Sequence, residues 1–350
     1  MKGRSLVASV VLAGLLIAPS GALASSSSCG WSIDSSGSFR GGVLLDVSVL
    51  SSTSVWAVGR IGTSTPKTLV EHFGGTSWYR MASPSPTDYD DELYGVAAVA
   101  ENDVWAVGAS STFTSLIEHW DGTSWTVVPV PSGVSGSING VSADSATDVW
   151  AVGDLGGVAL RWDGGAWSTI PLPDTHIRLE SVAAISPTDV WAVGTGGGRI
   201  LLLHWDGVGF SMIRSNGGDL VGVDALSSND LWTVGGYAGV PVARHWNGTR
   251  FKEYALPASN EWTTVADVAA SSHSDVWAAG FDEPSYTWVT LIYHMDGSAW
   301  SVVPSPNVPN AHNYLYGVAS DRATGQAWAV GDYTDAYPRQ ISLVLRYEPC

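Results

Sequence analysis

Residues 93–131 read LYGVAAVAENDVWAVGASSTFTSLIEHWDGTSWTVVPVP, and this stretch holds one complete unit of the fold. It opens on a run of small apolar residues, LYGVAAV, and turns at END into VWAVG. A loop leads to SLIEHW, and a DGTS turn leads to WTVVPVP. Four short β-rich runs punctuated by Gly, Asp, Asn, Ser and Pro describe one four-stranded antiparallel sheet. Working outward, the Trp of the VWAVG-like run recurs at Trp56, Trp105, Trp150, Trp191, Trp232, Trp277 and Trp328, with successive spacings of 49, 45, 41, 41, 45 and 51 residues. Periods of this size are those of propeller blades. No sustained helical periodicity appears beyond the N-terminal segment. The expected fold is therefore all-β: a seven-bladed β-propeller of four-stranded antiparallel blades.

The last blade is short of a strand. From the His or Arg near the end of the third strand to the aromatic of the fourth, the offset is six in each of six units: His72 to Trp78, His119 to Trp125, Arg161 to Trp167, His204 to Phe210, His245 to Phe251 and His294 to Trp300. The seventh unit has Arg346 and Tyr347, but Cys350 arrives before any fourth strand. The unused segment Cys29-Gly30-Trp31-Ser32-Ile33 can supply it, so the N-terminal strand is expected to complete the C-terminal blade and close the ring. Setting Trp31 six positions after Arg346 brings Cys29 and Cys350 to one corner. With two cysteines in a chain bound for export, a Cys29–Cys350 disulfide is the expectation.

Export is read from the first residues. Lys2 and Arg4, an apolar run from Leu6 to Ile17 and the small-residue end Ala22-Leu23-Ala24 have the order of a secretory signal. Residues 1–24 are expected to be removed, 25–28 to be a serine leader, and 29–350 to be the propeller, secreted and extracellular. No stretch is long and apolar enough to span a bilayer, so no membrane insertion is expected. The chain carries 16 Lys+Arg against 33 Asp+Glu, and losing Lys2 and Arg4 would take its formal charge from −17 to −19. That balance excludes nucleic acid and anionic membrane as natural partners, since both require clustered positive charge.

The run IEHWDGTSWTVVPVP from Ile117, with VWAVG before it, resembles the kelch repeat of galactose-oxidase-type propellers. There a hydrophobic strand ending in glycine precedes a Tyr-Asp-Pro-like turn and a Trp strand ending in Leu-Pro. The likeness, to secreted bacterial kelch-like proteins, spans nearly the whole chain after the signal. It departs in having mostly a single glycine (Gly59, Gly108, Gly153) and no Arg after the prolines. WD40 repeats fit less well, because their Gly-His and Trp-Asp pairs do not fall in place. The resemblance implies the fold, and it implies no single function, because kelch propellers act as enzymes and as binders.

Residues that recur once per blade read as frame. The VWAVG tryptophans are expected between blades. The His slot (His72, His119, His204, His245, His294) accepts Arg in blades three and seven, which a metal-ligand position could not, so a structural hydrogen bond is expected there. Asp121, Asp163, Asp206 and Asp296, with Asn247, and likewise Asp103, Asp148, Asp189, Asp230 and Asp275, are expected to shape turns by bonding their own backbone. No metal and no cofactor is expected. Copper chemistry of the galactose-oxidase kind would need a cysteine already assigned to closure.

Residues that vary between blades are the candidates for recognition. The loops after the second strand and those leading into the next blade emerge on one face. They carry Tyr89, Asp90, Asp91, Glu92 and Tyr94 before and within blade two, Glu261 and Trp262 before blade six, Glu283, Tyr286 and Trp288 in the blade-six loop, and His312, Tyr314 and Tyr316 at blade seven. From these, Tyr94, Glu261, Trp262, Trp288, Tyr314 and Tyr316 are the expected ligand-binding residues. Asp46 and Asp267, in an inner-strand slot mostly filled by Gly or Ser, are candidate channel-mouth acids. Arg40, Arg60, Arg178 and Arg199 lie at or near the loops, where a sialidase-like site would need them to converge. Aromatics mixed with carboxylates suit sugar rings, which pair apolar faces with hydroxyl rims. The expected function is a monomeric, non-catalytic binding propeller for glycan or another cell-surface ligand. The alternatives are a carbohydrate-active enzyme (glycoside hydrolase or polysaccharide lyase) with carboxylates at the central mouth, and a structural or protein-interaction propeller.

Overall fold

The structure, a computed structural model, describes residues 29–350 except 112–113, 155, 175, 197–199, 216–217, 238, 259–261 and 336–338. The expected signal and serine leader, Arg199 and Glu261 lie outside the described residues. The described strands form seven sheets of four antiparallel strands. Blade two consists of Asp91–Ala100, Asp103–Ser110, Thr114–Trp120 and Trp125–Val127, innermost to outermost. The other blades follow the same order. In blade seven, His312–Ser320, Ala327–Thr334 and Gln340–Glu348 are joined by Gly30–Ile33 as the outer strand.

That closing strand has the register expected from the repeat. Ser32 pairs with Arg346 and Trp31 with Tyr347, as Thr126 pairs with His119 and Ser168 with Arg161 in blades two and three. Trp31 meets Trp277 of blade six edge-on at 5.3 Å and 84°. The same contact joins Trp167 to Trp105 at 5.3 Å and 86°, and Trp125 to Trp56 at 5.8 Å and 73°. Each fourth-strand aromatic here packs against the second-strand Trp of the preceding blade, in the edge-on geometry that aromatic quadrupoles favour.

The glycine of VWAVG is required by backbone approach. A β-bulge in the inner strand falls opposite it, between Leu93 and Gly95 in blade two. A Cβ on Gly108 would stand 2.0 Å from the Glu92 carbonyl oxygen, and one on Gly153 2.0 Å from that of Ser137. Any side chain there would drive the two strands apart.

Beside each buried Trp, the third-strand slot does two jobs. His119, His204, His245 and His294 each meet the carboxylate that precedes the second strand, with Nε2 to Oδ1 distances of 2.8, 2.9, 2.7 and 2.7 Å. Their rings lie over the indoles; His119 is 4.2 Å from Trp105 and His294 is 4.1 Å from Trp277. In blade three, the Nε of Arg161 donates to Asp148 at 2.6 Å, and the guanidinium sits 5.3 Å from the centre of the Trp150 ring. Arg keeps both contacts, a charge-assisted bond and a cation–π contact, so it can replace His. This corrects one expectation: Asp103, Asp148, Asp189, Asp230 and Asp275 bond the slot side chain, because the carboxylate faces the third strand across the sheet. Asp121 does shape its turn, accepting from the backbone N–H groups of Thr123 at 2.8 Å and Ser124 at 2.9 Å.

Candidate ligand-binding face

Around the central channel, the inner strands of successive blades are tied through side chains. Asp46 accepts from the N–H of Val47 and from that of Val96 in the next blade, both at 2.8 Å. Asp224 does the same with Ala225 and Ala270, both at 2.8 Å. Asp267 accepts from Val318 at 2.9 Å. Ser48 and Ser142 play the equivalent part for Ala98 and Ala184, at 3.0 Å each. The three carboxyls line the channel and are each partly buried in its wall. Burial raises all three, and Asp267 is raised further by the charge of Asp46. Asp224 is also met by Arg322, whose guanidinium donates to it at 3.0 Å. The Asp46 and Asp267 oxygens thus point at neighbouring backbone within the channel wall.

At the loop-face end, the channel opens between Tyr94, Asn139, Glu180 and Tyr316, which line a cavity of about 120 Å³ together with Asp46 and Asp267. Burial, with Glu92 hydrogen-bonded beside it, pushes the Tyr94 hydroxyl up to about 12. Tyr94 and Glu92 also border a wider depression of about 600 Å³ with Tyr89, Asp90 and Ser111. The two arginines described at the mouth are separately matched: Arg60 with Glu92 at 3.6 Å, and Arg178 with Glu180 at 2.7 Å. Arg40 forms a bridge to Ile341.

Four rings form a cluster between blades six and seven. Tyr314 and Tyr316, two apart on one strand, lie parallel at 6.2 Å and 5°. Trp288 is 5.9 Å from Tyr314, and Phe281 lies within 5.2–6.0 Å of the other three. The Trp288 loop is pinned to the blade-seven inner strand: its N–H donates to Nδ1 of His312 at 3.2 Å, and its carbonyl accepts from the N–H of Asn313 at 2.9 Å. Beneath Tyr316 lies Asp332, 1% exposed, whose carboxyl burial raises to about 6. Sequence reasoning missed Phe281 and Asp332. Both directly follow the VWAVG glycine of their blades, and that shared position was the available signal.

On its outer side, Trp288 borders a groove of about 330 Å³ with Trp262, Asp219, Tyr237, Val240 and Thr264. Trp262 is 56% exposed. The structure therefore brings Trp262, Trp288, Tyr314, Tyr316 and Tyr94 into one path, from this groove through the ring cluster to the channel cavity.

Neither a protein-family model nor a characterised protein matches the chain by sequence. Solved structures do match by fold. YCF48 bound to D1 peptide is 18% identical with a TM-score of 0.61, covering 89% of this chain and 95% of that one. The WD40 repeats of RRP9 are 10% identical with a TM-score of 0.63, covering 90% and 98%. The SapL1 lectin in complex with alpha methyl fucoside is 12% identical with a TM-score of 0.53, covering 77% and 97%. At these identities the likeness concerns architecture, and the chain is a seven-bladed β-propeller.

Proposed function

We propose that the chain is a secreted, kelch-like, non-catalytic binding propeller that takes a neutral glycan on its loop face. The observation that carries this reading is the groove flanked by Trp262 and Trp288. Indole faces suit the apolar faces of a pyranose, while Asp219 and the exposed backbone can meet hydroxyls. The surplus of 33 Asp+Glu over 16 Lys+Arg disfavours sialylated or sulfated sugars. A binding role without catalysis is supported by Asp46 and Asp267, whose oxygens hold backbone N–H groups of the ring. Among similar folds, one is bound to a peptide and one to a methyl fucoside.

The proposal includes covalent closure. Cys29 and Cys350 are free thiols here, both exposed, and a hydrogen bond to Cys29 raises the Cys350 thiol. In an oxidising compartment that adjacency would become a disulfide. The deciding experiment is a glycan array with the exported protein, followed by a hydrolysis assay on each hit. Retention of neutral glycans without turnover supports the reading, whereas turnover of a hit or binding confined to anionic glycans overturns it.

A further inference from the structure

The His–carboxylate pair recurs in several blades, but at the junction of blades five and six it gains a third member. His245 Nε2 meets Asp230 Oδ1 at 2.7 Å, and His273 Nδ1, arriving from the first turn of blade six, meets Asp230 Oδ2 at 3.1 Å. The two imidazoles are 4.9 Å apart at 69°. One ligating atom from each of the three residues lies within 4.8 Å of the other two.

The placement of His273 follows from the repeat. It stands two residues before the Asp275 position, where the other blades carry Ser52, Glu101, Ala146, Pro187, Ser228 and Thr324. From that position a side chain reaches back to the pair of the preceding blade. Glu101 does so, accepting from the Ser54 hydroxyl at 3.1 Å, while that hydroxyl lies 3.0 Å from His72 Nε2. Only at blade six does this position supply an imidazole, and there it meets a carboxylate already paired with another imidazole. The exchange of His for Arg elsewhere argues against a metal in the slot as such. It does not apply here, because His273 lies outside the slot.

We propose that Asp230, His245 and His273 form a binding site for a divalent transition-metal ion of the zinc type, joining blade five to blade six. Two imidazole nitrogens and one carboxylate oxygen are a donor set for zinc, which holds such ligands at about 2.0–2.2 Å in a tetrahedron. Hard cations such as magnesium and calcium prefer oxygen-only shells. His245 is 9% exposed and Asp230 19% exposed, and both are held by the blade, whereas the His273 side chain is 64% exposed and free to close on the ion. Each ring binds in its neutral form through the nitrogen that now faces the carboxylate, with its proton on the other nitrogen. The fourth position is left to water.

The test uses untagged full chain, stripped with chelator and titrated with Zn²⁺ by calorimetry. Co²⁺ serves as a spectroscopic probe, with Mg²⁺ as the comparison. One Zn²⁺ per chain is expected, with visible Co²⁺ bands of tetrahedral intensity and a melting temperature raised by a few degrees. His273→Ala should raise the Zn²⁺ Kd by more than about tenfold and abolish the thermal shift while leaving the circular dichroism unchanged. His176→Ala, at an exposed His–Asp pair elsewhere on the ring, should leave binding and thermal shift intact. Absence of zinc uptake, zinc binding undiminished in His273→Ala, or loss of binding in His176→Ala would each overturn the assignment.

Discussion

On the turn face of the disc the connections are short and repeat from blade to blade, each closed by local bonds such as those of Asp121 and Asp163 to the N–H groups two and three residues ahead. On the loop face the connections differ in length and are held by contacts from other blades, as the Trp288 loop is held by His312 and Asn313. The three described non-glycine residues with left-handed backbone, Ser111, Tyr286 and Asn310, all belong to the loop face. The difference shows where repetition serves folding and where departures from it are tolerated. A blade must match its neighbours along the strands and at the turn face, while its outer loops answer to no repeat constraint.

The largest expected effect tests the frame at its closure. Under oxidising conditions, Cys29→Ser is predicted to lower stability by up to about 5 kcal/mol, the loop-entropy contribution of a link around nearly the whole chain. Denaturant unfolding with and without reductant measures it. A wild type insensitive to reductant would show that strand pairing alone closes the ring.

Next come the buried tryptophans. Trp150→Ala and Trp191→Ala should each cost about 3–5 kcal/mol through the cavity left between blades, because Trp150 is 0% exposed and Trp191 3%. Trp262→Ala should cost under about 1 kcal/mol in the same melts. Equal losses at Trp150 and Trp262 would erase the distinction between frame and loop face.

The frame also carries acids between its blades, which makes its stability depend on pH. Burial lifts Glu71 and Glu118 to about 8 from an ordinary 4.5, and the nearby Asp91 adds to the rise at Glu118. The fold therefore favours their protonated forms. That stability is present in full below pH 4.5 and is lost as pH rises through about 8. Urea unfolding should show the protein weaker at pH 9 than at pH 5, on the order of a few kcal/mol. Glu118→Gln should narrow this gap, and an unchanged gap would remove Glu118 as its source.

The smallest effects concern recognition. Once the array supplies a glycan, Trp262→Ala and Trp288→Ala are each predicted to weaken it by about 1–3 kcal/mol in titration. Normal binding combined with early melting would make these rings packing residues and move recognition to the Tyr94 end of the mouth.

Most of the frame was legible in the chain because its determinants are local and repeated. The recurring Trp, the six-residue offset and the unpaired strand led to seven blades and to the pairing of Ser32 with Arg346. The loop face was legible as a set of aromatic and acidic loops, including Trp288, Tyr314 and Tyr316. It was not legible as a surface. Phe281 and Asp332 come from the ends of second strands that otherwise read as frame.

By itself, then, the sequence determined the number of blades, the strand order and the closing strand, since register follows from spacing and from alternating burial within a few residues. Tertiary structure alone decided which side chains meet across blades. It turned the Asp46, Asp224 and Asp267 carboxyls toward backbone N–H groups of the following blade, set Phe281 edge-on to Tyr314, and set His273 against a carboxylate 43 residues earlier. Such contacts depend on how one sheet is rotated against the next, and that geometry is fixed only when the whole ring is closed.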